Sequence, residues 1–146
     1  MATERRATKR NRASAKAAGA QFEIRAAEYL REKLENIYIS RQDKNGDKDL
    51  GDIAYVGAKH AGVRSPGTIE RVPITWESKN TASMNLTGAM REAQAEAANY
   101  QEKYGGPEPL PVVHHKRHGV AAPGKQWVTM EVDTLIRLLR TTEGVE

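Results

Sequence analysis

Gly51-Asp52-Ile53-Ala54-Tyr55-Val56, a Gly/Ser/Pro-containing interruption over residues 57–70, and then Val72-Pro73-Ile74-Thr75-Trp76-Glu77-Ser78-Lys79 form the stretch that decides the fold. Val, Ile, Tyr, Thr and Trp pack well on a pleated surface, and the residues between the two runs form turns, so both runs read as strands. Alternate side chains of a strand face opposite ways. Val72, Ile74 and Trp76 therefore share one face, and Thr75, Glu77 and Lys79 share the other. If the two strands pair as a hairpin, Asp52 at the start of the first lies near Glu77 at the end of the second. The expectation is two carboxylates and one ammonium at one edge of a sheet.

Such a trio suits a hard cation. Mg²⁺ takes oxygen ligands and keeps several waters, so one or two carboxylates suffice when phosphate completes the shell. Asp52 and Glu77 would supply the oxygens, and Lys79 would orient a water or offset charge on a phosphoryl group. The competing reading is a surface ion pair on a hairpin, worth about 0–1 kcal/mol.

With 146 residues, the chain is read as one domain with room for a core. It has no cysteine, hence no disulfide frame and no thiolate metal site, which fits an intracellular, cytoplasmic protein. No run approaches the roughly 18 apolar residues of a membrane span. The formal net charge of +4 is unevenly spread. Residues 1–16 hold Arg5, Arg6, Lys9, Arg10, Arg12 and Lys16 against one acid, Glu4, which leaves the rest of the chain near neutrality. This segment lacks aromatic and large aliphatic residues apart from Met1, and it has neither the apolar face of a transit peptide nor the apolar core of a secretory signal. It reads as a disordered basic arm that contacts phosphates through counterion release, or as a solubility tail with no partner.

From residue 17 to residue 36 the pattern is helical, with Phe22, Ala26, Tyr29 and Leu30 on one stripe and Ala27 and Leu34 widening it. Glu23 shares the line of Ala27, Leu30 and Leu34. A carboxylate there either has a partner or snorkels at the first turn, where the helix dipole favours it. Residues 37–40 read as a short strand and 41–50 as a polar loop. Its Asp43, Asp47 and Asp49 suggest a calcium loop, but Ala54 occupies the position of the bidentate Glu. Residues 57–70 read as a mobile hairpin tip.

Residues 80–85 offer helix caps before a long Ala-rich helix that ends at Gly105-Gly106-Pro107. Residues 110–115 and 126–130 read as strands. Asp133 is expected to cap a last helix over 134–140, whose Leu135, Ile136, Leu138 and Leu139 pack inward. His114 and His115 are adjacent on a strand, face opposite ways and have no Cys beside them, which argues against zinc. Lys116, Arg117 and Lys125 make the segment 114–125 a basic edge. The element order is α-β-β-β-α-β-β-α.

Gly19-Ala20-Gln21-Phe22-Glu23 opening the first helix, Gly51-Asp52 on an apolar strand, Glu77-Ser78-Lys79 at a strand end, the long helix, and the Val112-Val113 and Trp127-Val128 strands together resemble the PD-(D/E)xK nuclease superfamily. Within it, the chain is most similar to the small archaeal-type Holliday junction resolvases, which phages also carry. The resemblance covers residues 17–140, between the arm at 1–16 and a short tail at 141–146. It implies an α/β, restriction-endonuclease-like fold, with a mixed central sheet flanked by helices. It also implies Mg²⁺-dependent hydrolysis of DNA phosphodiesters, with Mn²⁺ able to substitute.

By position, Asp52, Glu77 and the backbone carbonyl of Ser78 resemble the metal ligands. Lys79 resembles the lysine beside the attacking water, and Glu23 the first-helix acid that reaches the metal directly or through water. Arg5, Arg6, Lys9, Arg10, Arg12, Lys16, Arg41, Lys116, Arg117 and Lys125 are the side chains expected to hold phosphate backbones. A homodimer acting on branched DNA is implied, because paired cuts need two sites related by a two-fold axis. Neither a membrane nor an organic cofactor is expected. Three departures stand out: Gly51 in place of the common proline, a long segment between Asp52 and Glu77, and Glu96 four residues before Tyr100 where recombination-type exonucleases carry glutamine. The other readings are an endonuclease acting on duplex ends, flaps or nicks, and a non-catalytic DNA-binding module of the same fold.

Overall fold

The computed structural model describes residues 12–42, 48–65 and 68–142. Of the expected phosphate-binding side chains, Arg5, Arg6, Lys9 and Arg10 lie outside them, as do Asp43 and Asp47. The described elements run α1 (Arg12–Lys33), β1 (Ser40–Arg41), β2 (Ile53–Ala54), β3 (Gly57–Ser65), β4 (Thr68–Lys79), α2 (Leu86–Tyr104), β5 (Leu110–His115), a 3-10 turn (Pro123–Lys125), β6 (Trp127–Thr129) and α3 (Val132–Thr142). The chain is an α/β protein with one mixed sheet in the order β1-β2-β4-β5-β6, and β3 pairs with the outer part of β4. The β4–β5 pair is parallel and joined through α2, while the other pairs are antiparallel.

The sheet separates two apolar layers. On one face, Ala26 and Ala27 of α1 pack with Ile53, Trp76, Val112 and Ile39. On the other, Ala89 and Ala93 of α2 pack on Val113. Small residues on both helices allow close approach to the strands. Helix α2 starts where Asn85 accepts a hydrogen bond from the Gly88 amide (3.0 Å), and it stops at Gly105, whose φ is 67°.

Four expectations are corrected. The first helix begins at Arg12 rather than residue 17, so Arg12 and Lys16 sit on exposed helix. The alanines at 13, 15, 17 and 18 are strong helix formers and need no packing partner to extend it. The segment read as a hairpin tip contributes strand β3 and the outer half of β4, with Val63 opposite Ile69. A kink at Tyr55 (φ 65°) separates β2 from β3, so the two form one broken strand beside β4. The strand near residue 39 is limited to Ser40–Arg41, because a turn holds the preceding residues and only Ile39 is buried there. Finally, Leu135, Ile136 and Leu139 of α3 do not pack inward: Leu139 is 54% exposed, and Val132 72%. Helix α3 follows the edge strand β6 and lies against β3 and β5, and much of its apolar stripe stays exposed.

Candidate active site

Positions 51–53 and 76–78 are held together by backbone geometry. Ile53 is paired with Trp76, which places Asp52 beside Glu77. The Asp52 amide donates to the Trp76 carbonyl (2.7 Å), and the Gln42 amide donates to the Asp52 carbonyl (2.8 Å). The Asp52 carboxylate accepts the Ser78 amide (2.7 Å), so this side chain fastens the end of β4 as well as carrying charge. Gly51 has φ 103°, and a Cβ there would lie 3.2 Å from the Trp76 carbonyl oxygen. Proline fixes φ near −65° and cannot adopt this turn.

Trp76 faces α1, so by alternation Glu77 and Lys79 face α2. There they meet side chains that sequence reasoning had not placed in the site. Carboxylate oxygens of Glu77, Glu92 and Glu96 lie within 4.8 Å of one another. Glu77 and Glu96 are both buried, and the Oε2 atom of each accepts no hydrogen bond. Lys79 Nζ lies 2.9 Å from Glu77 Oε1 and 2.6 Å from Glu92 Oε2.

The electrostatics follow from this crowding. Burial, then the hydrogen bond to Glu77 and the charges of Glu77, Asp49 and Asp52, push the Glu96 carboxyl up to about 11. Burial also raises the Glu77 carboxyl, and Asp52 adds to it, against the opposing effects of Glu96 and Lys79. Glu92 at the rim is lowered, chiefly by its hydrogen bond from Lys79. Burial alone would lower the Lys79 ammonium, but Glu92 and Glu77 outweigh it and hold its pKa above the ordinary lysine value. Two buried carboxyls this close, each with an oxygen that lacks a donor, must share a proton or a cation. An all-oxygen donor set of this kind fits a hard divalent ion such as Mg²⁺ rather than zinc.

Glu96 could have been found by the reasoning applied to Glu23. Ala89, Ala93, Glu96 and Ala97 form the buried stripe of α2, and a carboxylate on an apolar stripe signals a partner. Glu23 has such a partner in Arg41, at 2.9 Å and 3.0 Å. It is carried by α1, which packs on the other face of the sheet, and it is outside the converging group of Glu77, Glu92 and Glu96. Arg41 is engaged in this ion pair while its side chain stays 41% exposed.

Ser78, between Glu77 and Lys79, also bonds through its hydroxyl to His114 Nδ1 (3.0 Å). His114 stacks on Phe22 at 4.3 Å, and burial, with His115 adding, lowers its pKa to about 4, so it serves as a neutral strut under the strand end. His115 points elsewhere, to Thr129 Oγ1 at 2.8 Å, in keeping with the argument against a shared zinc. On the basic edge, Lys116 donates to the Arg117 and Val120 carbonyls, and Arg117 donates to the Lys125 carbonyl and lies over the Trp127 ring. These two cations brace the loop, whereas Lys125 is exposed.

No helix among the described residues is long and apolar enough to cross a membrane. No protein-family model matches the chain, and comparisons with curated proteins and with solved structures give no match.

Proposed function

We propose that this chain is a Mg²⁺-dependent endodeoxyribonuclease of the PD-(D/E)xK type, acting on branched DNA as a Holliday junction resolvase does. The observation that carries the reading is the pair of buried, unsatisfied oxygens on Glu77 and Glu96 beside the Lys79 ammonium. Glu77 and Glu96 would hold the cation, with Asp52 and the Ser78 carbonyl next to them and Glu92 at the rim. Such an ion polarises a phosphoryl oxygen and makes a water more acidic.

The side chains do the rest. Lys79, held by Glu77 and Glu92, places positive charge where a phosphate would otherwise meet only carboxylates. Asp52 fixes the Ser78 amide and so the direction in which Glu77 and Lys79 leave the strand. Glu23 supports β1 through Arg41 in this reading, and does not ligate. The exposed apolar stripe on α3 is where a second copy would give the two-fold arrangement that paired nicks require.

A second reading is an endonuclease acting on duplex ends, flaps or nicks. Glu96 turns into the site at the helix position where recombination-type exonucleases carry glutamine, and this difference argues against exonuclease action. Cleavage assays in Mg²⁺ on a synthetic four-way junction, a flap and a linear duplex separate the readings. Paired nicks across the junction support resolution, preferential cutting of ends or flaps supports the second reading, and binding without cutting excludes both.

A further inference from the structure

A second concave feature lies on the opposite side of the β4 end. A cavity of about 180 Å³ opens between α1, residue Asn80, β5 and the loop that follows it. Its inner wall is the Phe22 ring stacked on neutral His114, interplanar angle 2°. No carboxylate lines it. Arg25 and Lys116 supply positive charge, and Gln21, Asn80 and Gln126 supply amides. The outer wall is rigid: Gln126 Nε2 donates to the Val120 and Ala122 carbonyls (2.8 and 3.0 Å), and Gln126 Oε1 accepts the Arg117 amide (2.7 Å). Tyr29 of α1 packs on Gly124 so closely that a Cβ there would lie 2.7 Å from its Cζ. The Gln126 amide is therefore spent on the loop. Gln21 and Arg25, one turn apart on α1, have no partner among the described residues.

We infer that this cavity receives a single unpaired nucleotide of the DNA, with its base against the Phe22 wall and the Gln21 amide, and its phosphate on Arg25. Three features point to that ligand. The cavity is smaller than the roughly 300–1,000 Å³ that hold drug-sized molecules, which suits one base. An amide with both a donor and an acceptor can pair with a base edge, and a guanidinium can take a phosphate in a fork. Asn80 lines the cavity and follows directly on Lys79 of the acid cluster, so a strand crossing the β4 end reaches both. Enzymes that do chemistry on a base extrude it into pockets held by stacking and edge contacts, and single-strand binders stack bases on aromatic side chains.

The functional meaning rests on the nuclease reading, but binding does not need the metal, so the two can be tested apart. The experiment titrates the full chain in EDTA with deoxynucleoside monophosphates and, separately, with inorganic phosphate, following α1 amide signals by NMR. Saturable shifts at residues 21–26 with the nucleotides, and weaker binding of phosphate alone, are expected. Ala121→Trp, an exposed loop position at the cavity mouth, and Arg25→Ala should each weaken nucleotide binding at least about tenfold. Lys48→Ala, an exposed position outside the cavity lining, should leave it unchanged. Wild-type protein that shows no saturable shift overturns the inference, as does phosphate binding as tightly as nucleotide, or binding untouched by both cavity variants. Absence of Mg²⁺-dependent DNA cleavage by the wild-type protein, with its nucleotide binding intact, would instead count against the nuclease reading alone.

Discussion

Glu77 on β4 and Glu96 on α2 bring carboxylate oxygens within 4.8 Å of each other, in a setting where both residues are buried and one oxygen of each lacks a donor. In the absence of a cation this pair is a source of instability, because like charges in a poorly solvated site cannot both ionise without cost. Replacing Glu96 by Gln removes the cost of protonating this carboxyl on folding and supplies an N–H donor for Glu77. The metal-free Tm should rise by about 3–4 °C for each kcal/mol recovered. The Mg²⁺-induced rise in Tm should disappear, and cleavage should fall by about 10²-fold. Thermal melts with and without Mg²⁺ check the first two outcomes, and single-turnover cleavage checks the third.

The same pair sets a pH dependence. Both carboxyls lie above their ordinary value of 4.5 in the folded chain, Glu96 at about 11, so above pH 4.5 the folded state binds more protons than the unfolded state. Their contribution to stability is complete below the unfolded value and is lost as pH rises through the folded ones. His114 and His115 are lowered and act in the opposite sense, but only below their ordinary value of 6.5. Between about pH 7 and pH 9 the carboxyls are thus left to act, and metal-free Tm should fall while the stabilisation gained on adding Mg²⁺ grows. A flat Tm across that window would mean that Glu77 and Glu96 do not share a proton.

Gly51 gives a prediction that rests on its backbone conformation. At φ 103°, with the Trp76 backbone 3.2 Å from where a Cβ would stand, proline cannot be accommodated. Gly51→Pro should lower stability by about 3 kcal/mol and abolish cleavage, since the turn aims Asp52 at the Ser78 amide. Equilibrium unfolding in urea measures the first effect.

How much was legible in the sequence depended on whether a signal was local. The Val/Ile/Trp alternation at 72–79 gave β4 and the side to which Glu77 and Lys79 point, and Asn85 and Gly105 marked the ends of α2. Beside these, β3 was hidden by Gly57 and Gly62, at positions where the pairing partner, rather than propensity, decides. Glu96 was hidden because its partner is distant in sequence: an acid on an apolar stripe shows that something must meet it, without showing what. Glu23 carried the same signal, and the structure answers it with Arg41. For α3, amphipathic spacing revealed an apolar face but could not reveal that the described chain leaves much of that face exposed.

That face yields a prediction on assembly. Leu135 and Leu139 are 42% and 54% exposed, so replacing both by Lys removes little packing within the chain and should leave Tm within a few degrees. If a second copy covers the stripe, the variant should sediment as a monomer under conditions where the wild type is a dimer. It should also cut a four-way junction in single, unpaired nicks. A wild type that is monomeric at micromolar concentration would contradict the dimer.

The most direct measurement compares wild-type protein with Glu77→Ala on a labelled four-way junction, recording binding and cleavage side by side with and without Mg²⁺. If Glu77 anchors a cation that activates hydrolysis, the two proteins bind the junction with similar affinity, while only the wild type cuts, and only when Mg²⁺ is present. Cleavage by Glu77→Ala at the wild-type rate, or junction binding by the wild type without Mg²⁺-dependent cutting, would contradict it.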